Sequence, residues 1–254
     1  MKRKVLIIGI GAGHPDFVTV QAVNAMNRVD VFFIPNKGIE KEELARVRME
    51  ILERHVRDHP FRTVAFEAPQ RSRQEGDYAA AVSDWHDRVE LEYGRLIMEE
   101  LDASETGAFL VWGDPTLYDS TIRILDRLQA RGDFEMEYEV LPGISSIQAL
   151  AARHKVALCS IGRSVVISTG RSMAEGFPNT IDGVVVMLNA EKALRAADGD
   201  LDVYWGAYVG MPDEVLVSGK LKEVIDDIER IRDEARASKG WIMDSVLMRK
   251  PSPG

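Results

Sequence analysis

The spacing of apolar residues divides the chain into two halves of different rhythm. In the first, short continuous apolar runs alternate with longer amphipathic stretches. Lys4 to Ile10 (KVLIIGI), Asp30 to Ile34 (DVFFI, stopped by Pro35), Arg62 to Glu67, Phe109 to Trp112 and Met136 to Leu141 read as strands. The continuous apolar run Lys4 to Ile10 is what a sheet covered on both faces requires. Helical spacing predicts helices over about Thr19 to Asn27 and Glu40 to Arg57, the second with Leu44, Val47, Ile51 and Leu52 inward. A longer helix, about Tyr78 to Leu101, carries Val82, Trp85, Val89, Leu96 and Ile97 on its buried side. Strand, helix and strand within about 30 residues imply a parallel pair with a right-handed crossover.

The stretch FLVWGDPTLYDST, Phe109 to Thr121, organises this half. Gly113 lets the backbone turn, Asp114 is expected to cap a helix and Pro115 to occupy its first position. From Thr116 onward Leu117, Ile122, Leu125 and Leu128 keep a mostly helical spacing that closes near Arg131-Gly132. After Leu141 the pair Pro142-Gly143 turns the chain, and Ser145 or Ser146 caps a short helix through about Ala152. The first half is therefore expected to be a five-stranded α/β domain with open turns after Gly11, Gly113 and Pro142. Such turns, at the carboxyl ends of strands, are where open α/β sheets bind ligands.

Beyond about His154 to Gly162 the rhythm changes. Ser164 to Ser168, Gly183 to Leu188, Asp202 to Tyr208, Glu214 to Val217 and Trp241 to Met248 read as strands, with helices over about Glu191 to Ala197 and Lys220 to Arg236. Short strands joined by tight turns predict a mixed sheet. The expected domains are 1–158 and 159–254.

Composition narrows the function. The 254 residues are 45% hydrophobic and 29% charged, as in a folded soluble protein. A net charge of −9 without a Lys/Arg tract argues against nonspecific nucleic-acid binding. One cysteine, Cys159, leaves no internal disulfide and no multi-cysteine metal site, so no metal is expected. The opening MKRKVLIIGIGAGHPD mimics a leader, but its apolar run is short and broken by glycines, and reads better as a first buried strand. No stretch approaches the ~20 apolar residues of a membrane span, and a cytoplasmic location is expected.

Glycines 9, 11 and 13 invite a dinucleotide-binding reading. The fingerprint requires G-x-G-x-x-G opening a helix, with an acidic residue closing the next strand. GIGAGHP lacks the third glycine in place, and Pro15 falls where the helix should start. A nucleotide-binding oxidoreductase and a noncatalytic scaffold remain as alternatives.

Taken in order, GIGAGHPDFVT, WGDPTLY, PGISS and VVMLNA…YWGAYVGMPDEVLVSG resemble the tetrapyrrole (precorrin) methyltransferase family along almost the whole chain. The first motif departs from the family's usual G-x-G-P-G-D-P, with Ala12 for the proline and His14 for the aspartate. The resemblance implies two α/β domains with S-adenosylmethionine (SAM) in the cleft between them, S-adenosylhomocysteine as product, and a homodimer. It implies methylation of a corrin precursor at a ring carbon with loss of a two-carbon unit as acetate, with a member of the same family acting at a different ring position as the rival reading. Carried over by motif, Trp112, Gly113, Asp114, Leu117, Ser145, Ser146, Leu188 and Ala207 are expected beside the cofactor, with Tyr208 a further candidate.

Methyl transfer to carbon chiefly needs alignment of the two reactants. Loss of an acyl group needs water activation and a stabilised oxyanion. Candidates for that step are His14, Asp16 and Tyr118; the other histidines (His55, His59, His86, His154) read as solvent or helix-face residues. A substrate rich in carboxylates requires a locally basic site on this acidic protein, for which Arg71, Arg73, Arg163 and Arg171 are candidates.

Overall fold

Five parallel strands in the order β3-β2-β4-β1-β5 build the first sheet. They are β1 (Arg3–Gly9), β2 (Val31–Asn36), β3 (Arg62–Glu67), β4 (Thr106–Val111) and β5 (Met136–Leu141). The computed structural model describes residues 2–36, 42–57, 59–69, 78–174 and 181–251. Val5, Ile7, Val31, Phe33, Phe109 and Val111 face α3 (Tyr78–Glu99) and α4 (Thr121–Arg131), packing on Leu96, Ile97, Ile124 and Leu125. Alternate strand residues turn to the opposite face, where α1 (Val20–Met26) and α2 (Glu42–His55) pack on β1 and β2. Coverage on both faces is why β1, β2 and β4 read as apolar runs, whereas the edge strands β3 (RTVAFE) and β5 (MEYEVL) carry polar and charged residues.

Adjacent strands β1 and β4 send their connections toward opposite edges, to β2 and to β5. Right-handed crossovers then place the following helices on opposite faces, which opens a crevice at the carboxyl ends of the strands.

The chain divides into two units, Met1–Ile144 and Ser145–Gly254. The sequence reading put the division after residue 158, beyond the helix that follows Pro142-Gly143. That helix, α5 (Ser146–His154), packs instead on strands of the second sheet, where Leu150 lies against Gly206.

The second sheet is mixed, in the order β6-β7-β10-β8-β9. It comprises β6 (Val165–Thr169), β7 (Gly183–Met187), β8 (Asp202–Ala207), β9 (Val215–Lys220) and β10 (Asp244–Arg249), with α6 (Ala190–Ala196) and α7 (Leu221–Lys239) between. β6 and β7 are parallel and the other pairs antiparallel. Its core holds Trp205, Val246 and Ile228 together with a buried ion pair, Arg232 with Asp244, whose carboxylate also accepts Trp205 Nε1–H at 2.9 Å.

Candidate functional site

Three loops follow β1, β4 and β5 at the carboxyl edge of the first sheet, and glycine lets their backbones touch. Gly113 N–H donates to Gly11 O at 2.8 Å, and Gly11 N–H returns a bond to Gly113 O at 3.3 Å. Both have positive φ, 81° and 70°, which costs glycine little. A Cβ on Gly143 would stand 2.0 Å from Gly113 O, and one on Gly9 would stand 2.6 Å from Gly143 N. The three loops therefore close on one another only without side chains at these points.

Asp114 ties the arrangement together. Its Oδ1 accepts Thr116 N–H at 2.8 Å and the Thr116 hydroxyl, and its Oδ2 accepts Gly143 N–H at 2.9 Å. Burial pushes the carboxyl up, but the Thr116 hydroxyl and the backbone N–H groups of Gly143 and Thr116 outweigh it and hold the group below its usual range. The expected helix cap is corrected here. α4 starts only at Thr121, after Ser120, so Asp114 and Pro115 precede it by a loop. An aspartate that bonds the N–H two residues on competes with helix formation, and Tyr118 at φ 53° breaks the helical path again.

Trp112 is half-buried, with the Arg48 guanidinium 6.0 Å from its ring centre. Leu117 is half-buried and its N–H donates to Asp114 O at 3.1 Å, whereas Tyr118 is 50% exposed. His14 and Asp16 stand together after β1. His14 Nδ1 accepts Asp16 N–H at 3.1 Å, capping a 3-10 turn over Pro15–Phe17, and the Asp16 carboxylate pairs with Arg54 at 2.5 Å. Nδ1 is thus an acceptor, which puts the proton of the neutral ring on Nε2.

In the second unit, Ser145 is buried and its hydroxyl is consumed by capping α5. It accepts Ile147 N–H and donates to Gln148 Oε1 at 2.6 Å. Ser146 Oγ lies 3.0 Å from Ser245 Oγ of β10. Ala207, the last residue of β8, is fully buried, and Leu188 is 53% exposed directly after β7. Tyr208 is buried and donates its hydroxyl to Trp241 O at 2.6 Å.

Non-glycine residues with positive φ among those described are Tyr118, Lys155, Leu188, Asn189 and Tyr208. Lys155 ends α5 in the ordinary left-handed cap. The other four fall in the loops after β4, β7 and β8, among the motif residues. Backbone strain of this kind concentrates where a ligand or reaction requires it.

Several expectations on charged residues change. Arg71 and Arg73 lie outside the described residues. Arg163 is engaged with Asp182 at 2.8 Å, and Arg171 is exposed just past β6. A cavity of about 380 Å³ beside Arg163, Tyr204 and Arg249 sits at the far end of β7, β8 and β10 from Leu188 and Ala207. The four remaining histidines are not free surface groups: His55 bonds Pro15 O, His59 bonds Asp30, His154 bonds Trp205 O, and His86 is buried.

Sequence reasoning missed Arg48. It is buried (6% exposed), donating from Nε to Leu110 O at 3.2 Å and from Nη1 to Leu44 O at 2.9 Å. The signal was present, since Arg48 falls on the apolar stripe of its helix, four residues from both Leu44 and Leu52.

A five-stranded parallel sheet with glycine-tied loops, followed by a mixed five-stranded sheet with strained strand ends, defines an α/β protein of the tetrapyrrole-methylase type. The family model for tetrapyrrole (corrin/porphyrin) methylases matches residues 4–225, and the chain belongs to that family. It is 50% identical to a precorrin-6A synthase [deacetylating] from Sinorhizobium sp over 98% of this chain and 95% of that protein. A solved structure of a cobalamin-synthesis-related protein (CobF) from Corynebacterium diphtheriae matches with a TM-score of 0.82 and 30% identity, over 98% of this chain and 99% of that one. At 18% identity, a Thermus thermophilus uroporphyrin-III C-methyltransferase complexed with S-adenosylhomocysteine shares the fold, with a TM-score of 0.58 over 97% of each chain.

Proposed function

We propose that this chain is a SAM-dependent C-methyltransferase of cobalamin biosynthesis. It methylates precorrin-5 at C1 and releases acetate, giving precorrin-6A and S-adenosylhomocysteine. The observation that carries this reading is the half-identical, near end-to-end match to the Sinorhizobium enzyme.

The residues present fit SAM. Glycine-built loops present backbone rather than side chains at the carboxyl edge of a parallel sheet, as close approach of a ligand requires. Carried over from the family motifs, the residues that would hold the cofactor are Trp112, Gly113, Asp114, Leu117, Ser145, Ser146, Leu188 and Ala207. Bound SAM supplies a methyl group activated on a sulfonium. Asp114 fixes the loop geometry by its bonds to Thr116 and Gly143. Ser145, fully occupied as a cap, contributes through the backbone of the α5 start. Exposed Leu188 offers an apolar contact, and buried Ala207 only its backbone.

Loss of acetate is assigned to His14, Asp16 and Tyr118. With Nδ1 committed to Asp16 N–H, His14 Nε2 is the nitrogen left to move a proton. Asp16, paired with Arg54, holds the turn. Exposed Tyr118 presents a hydroxyl donor from the loop after β4. The proposed setting is the cytoplasm, where unpaired Cys159 stays reduced. The proposed assembly is a homodimer, supported by Val166 and Ile167, apolar and exposed on edge strand β6.

Incubation with precorrin-5 and methyl-labelled SAM tests the reading. Ring-bound label with stoichiometric acetate is the expected result; intact SAM binding with neither product would overturn the substrate assignment.

A further inference from the structure

The first sheet splits at its carboxyl edge. β2 pairs with β4 only through Val31, Phe32 and Phe33, whereas β2 and β3 stay paired to Asn36 and Glu67, and β1 and β4 to Gly9 and Val111. The cause is Pro35. Val111 O accepts Ile10 N–H from β1, so by strand alternation Leu110 O faces β2. In the register Phe33 with Phe109, the donor that would meet Leu110 O is the backbone nitrogen of Pro35, which carries no hydrogen. Arg48 Nε takes that place.

A guanidinium is therefore lodged in the gap between two parallel strands, at the edge where this sheet type binds ligands. Nε and Nη1 are spent on carbonyls, which neutralise no charge. Among the described residues no carboxylate lies within 4.0 Å of it. Asp119 acts on Arg48 from farther off, and burial pushes the neighbouring Tyr93 phenol up to about 12, so it stays neutral. Burial lowers Arg48 only to about 10, leaving it a cation at neutral pH. A buried charge lacking a counter-ion is costly unless a ligand supplies one. Among the described residues the other buried arginine, Arg232, has Asp244.

We propose that Nη2 of Arg48 binds a carboxylate of the tetrapyrrole substrate in the split between β2 and β4, an assignment that rests on the function proposed above. The site selects an acidic ring substituent and adjoins the loop assigned to SAM at Trp112, whose ring centre lies 6.0 Å from the guanidinium.

The test uses the intact chain with uroporphyrin, a porphyrin octacarboxylate, as probe, and measures its Kd and that of SAM in parallel. Arg48→Lys keeps a donor for Leu110 O but loses the fork, and should bind the porphyrin about ten- to hundredfold more weakly, the worth of one charge-assisted hydrogen bond. SAM affinity should fall by much less than porphyrin affinity, since Arg48→Lys keeps a cation beside Trp112 and loses only the donor assigned to the carboxylate. Millimolar methylguanidinium should restore porphyrin binding to Arg48→Ala. Unchanged porphyrin affinity in Arg48→Lys overturns the assignment while leaving the function intact, and so does an equal loss for SAM, the mark of a collapsed loop. Wild-type protein that binds SAM but no tetrapyrrole carboxylate overturns the assignment and the proposed substrate together.

Discussion

Oδ2 of Asp114 accepts the N–H of Gly143 at 2.9 Å, joining the loop after β4 to the loop after β5 across the end of the strand between them, β1. One carboxylate thereby fixes two of the three loops at the carboxyl edge of the sheet. Asp114→Asn keeps one acceptor but turns an amide toward the Gly143 N–H, and should cost about 1–3 kcal/mol, the penalty for an unmet hydrogen bond to a charged group. The native carboxyl titrates below its ordinary 3.8, so its contribution is complete above that value and is lost as pH falls through the lower native one. Urea unfolding between neutral pH and pH ~3 should show wild type and Asp114→Asn converging at the acid end. A gap that stays constant would refute the charge argument.

Gly143 and Gly132 separate steric from conformational demand. Gly132, at φ 70°, has nothing within 4 Å of an added Cβ, and Gly132→Ala should cost about 1 kcal/mol for the left-handed backbone alone. Gly143→Ala drives its methyl onto Gly113 O and should cost about 3 kcal/mol or more, as overpacking against rigid backbone does. Denaturation midpoints of the two variants decide the order; equal losses would mean that the loops are not in backbone contact.

In the second unit, Asp244 is shared by Arg232 and the Trp205 indole. Burial lowers the Arg232 pKa, with Arg236 pushing the same way, so the guanidinium depends on its partners. Asp244→Asn leaves Arg232 with Glu191, at 3.6 Å, as its remaining acidic neighbour among the described residues, and should destabilise the unit by about 3 kcal/mol, while replacing Arg232 and Asp244 together by Met and Leu should cost less. Urea denaturation midpoints of the single and double variants measure the difference.

His14 serves as a cap through Nδ1 and, in the proposed reaction, as a proton carrier through Nε2. Asparagine can cap in the same way, because its side-chain oxygen accepts an N–H two residues on. His14→Asn should therefore unfold within about 0.5 kcal/mol of wild type, as cap-conserving changes do. It should still incorporate labelled methyl while releasing acetate far more slowly. Acetate release at the wild-type rate would remove His14 from the chemistry.

The chain's own order determined much of this. Apolar runs in the first half and short strands in the second gave a strand order in sequence, a mixed second sheet and three glycine turns, because those signals are local. The motifs carried the family for the same reason: glycines and capping serines report the backbone of their own loop. What the sequence left undecided was long-range. Asp114 beside Pro115 has the local signature of a helix start, yet its carboxylate is spent on Gly143, which only the neighbouring loop could reveal. α5 joined the second unit because its apolar face meets β8 and β10, a choice of partner that periodicity does not encode. Arg48 looked like one cation on a charged helix. Only the pairing of β2 with β4, ended by a proline whose missing N–H faces that neighbour, turned it into the donor that fills the gap. Local propensity is written in adjacent residues; which groups become neighbours is decided by how the elements pack.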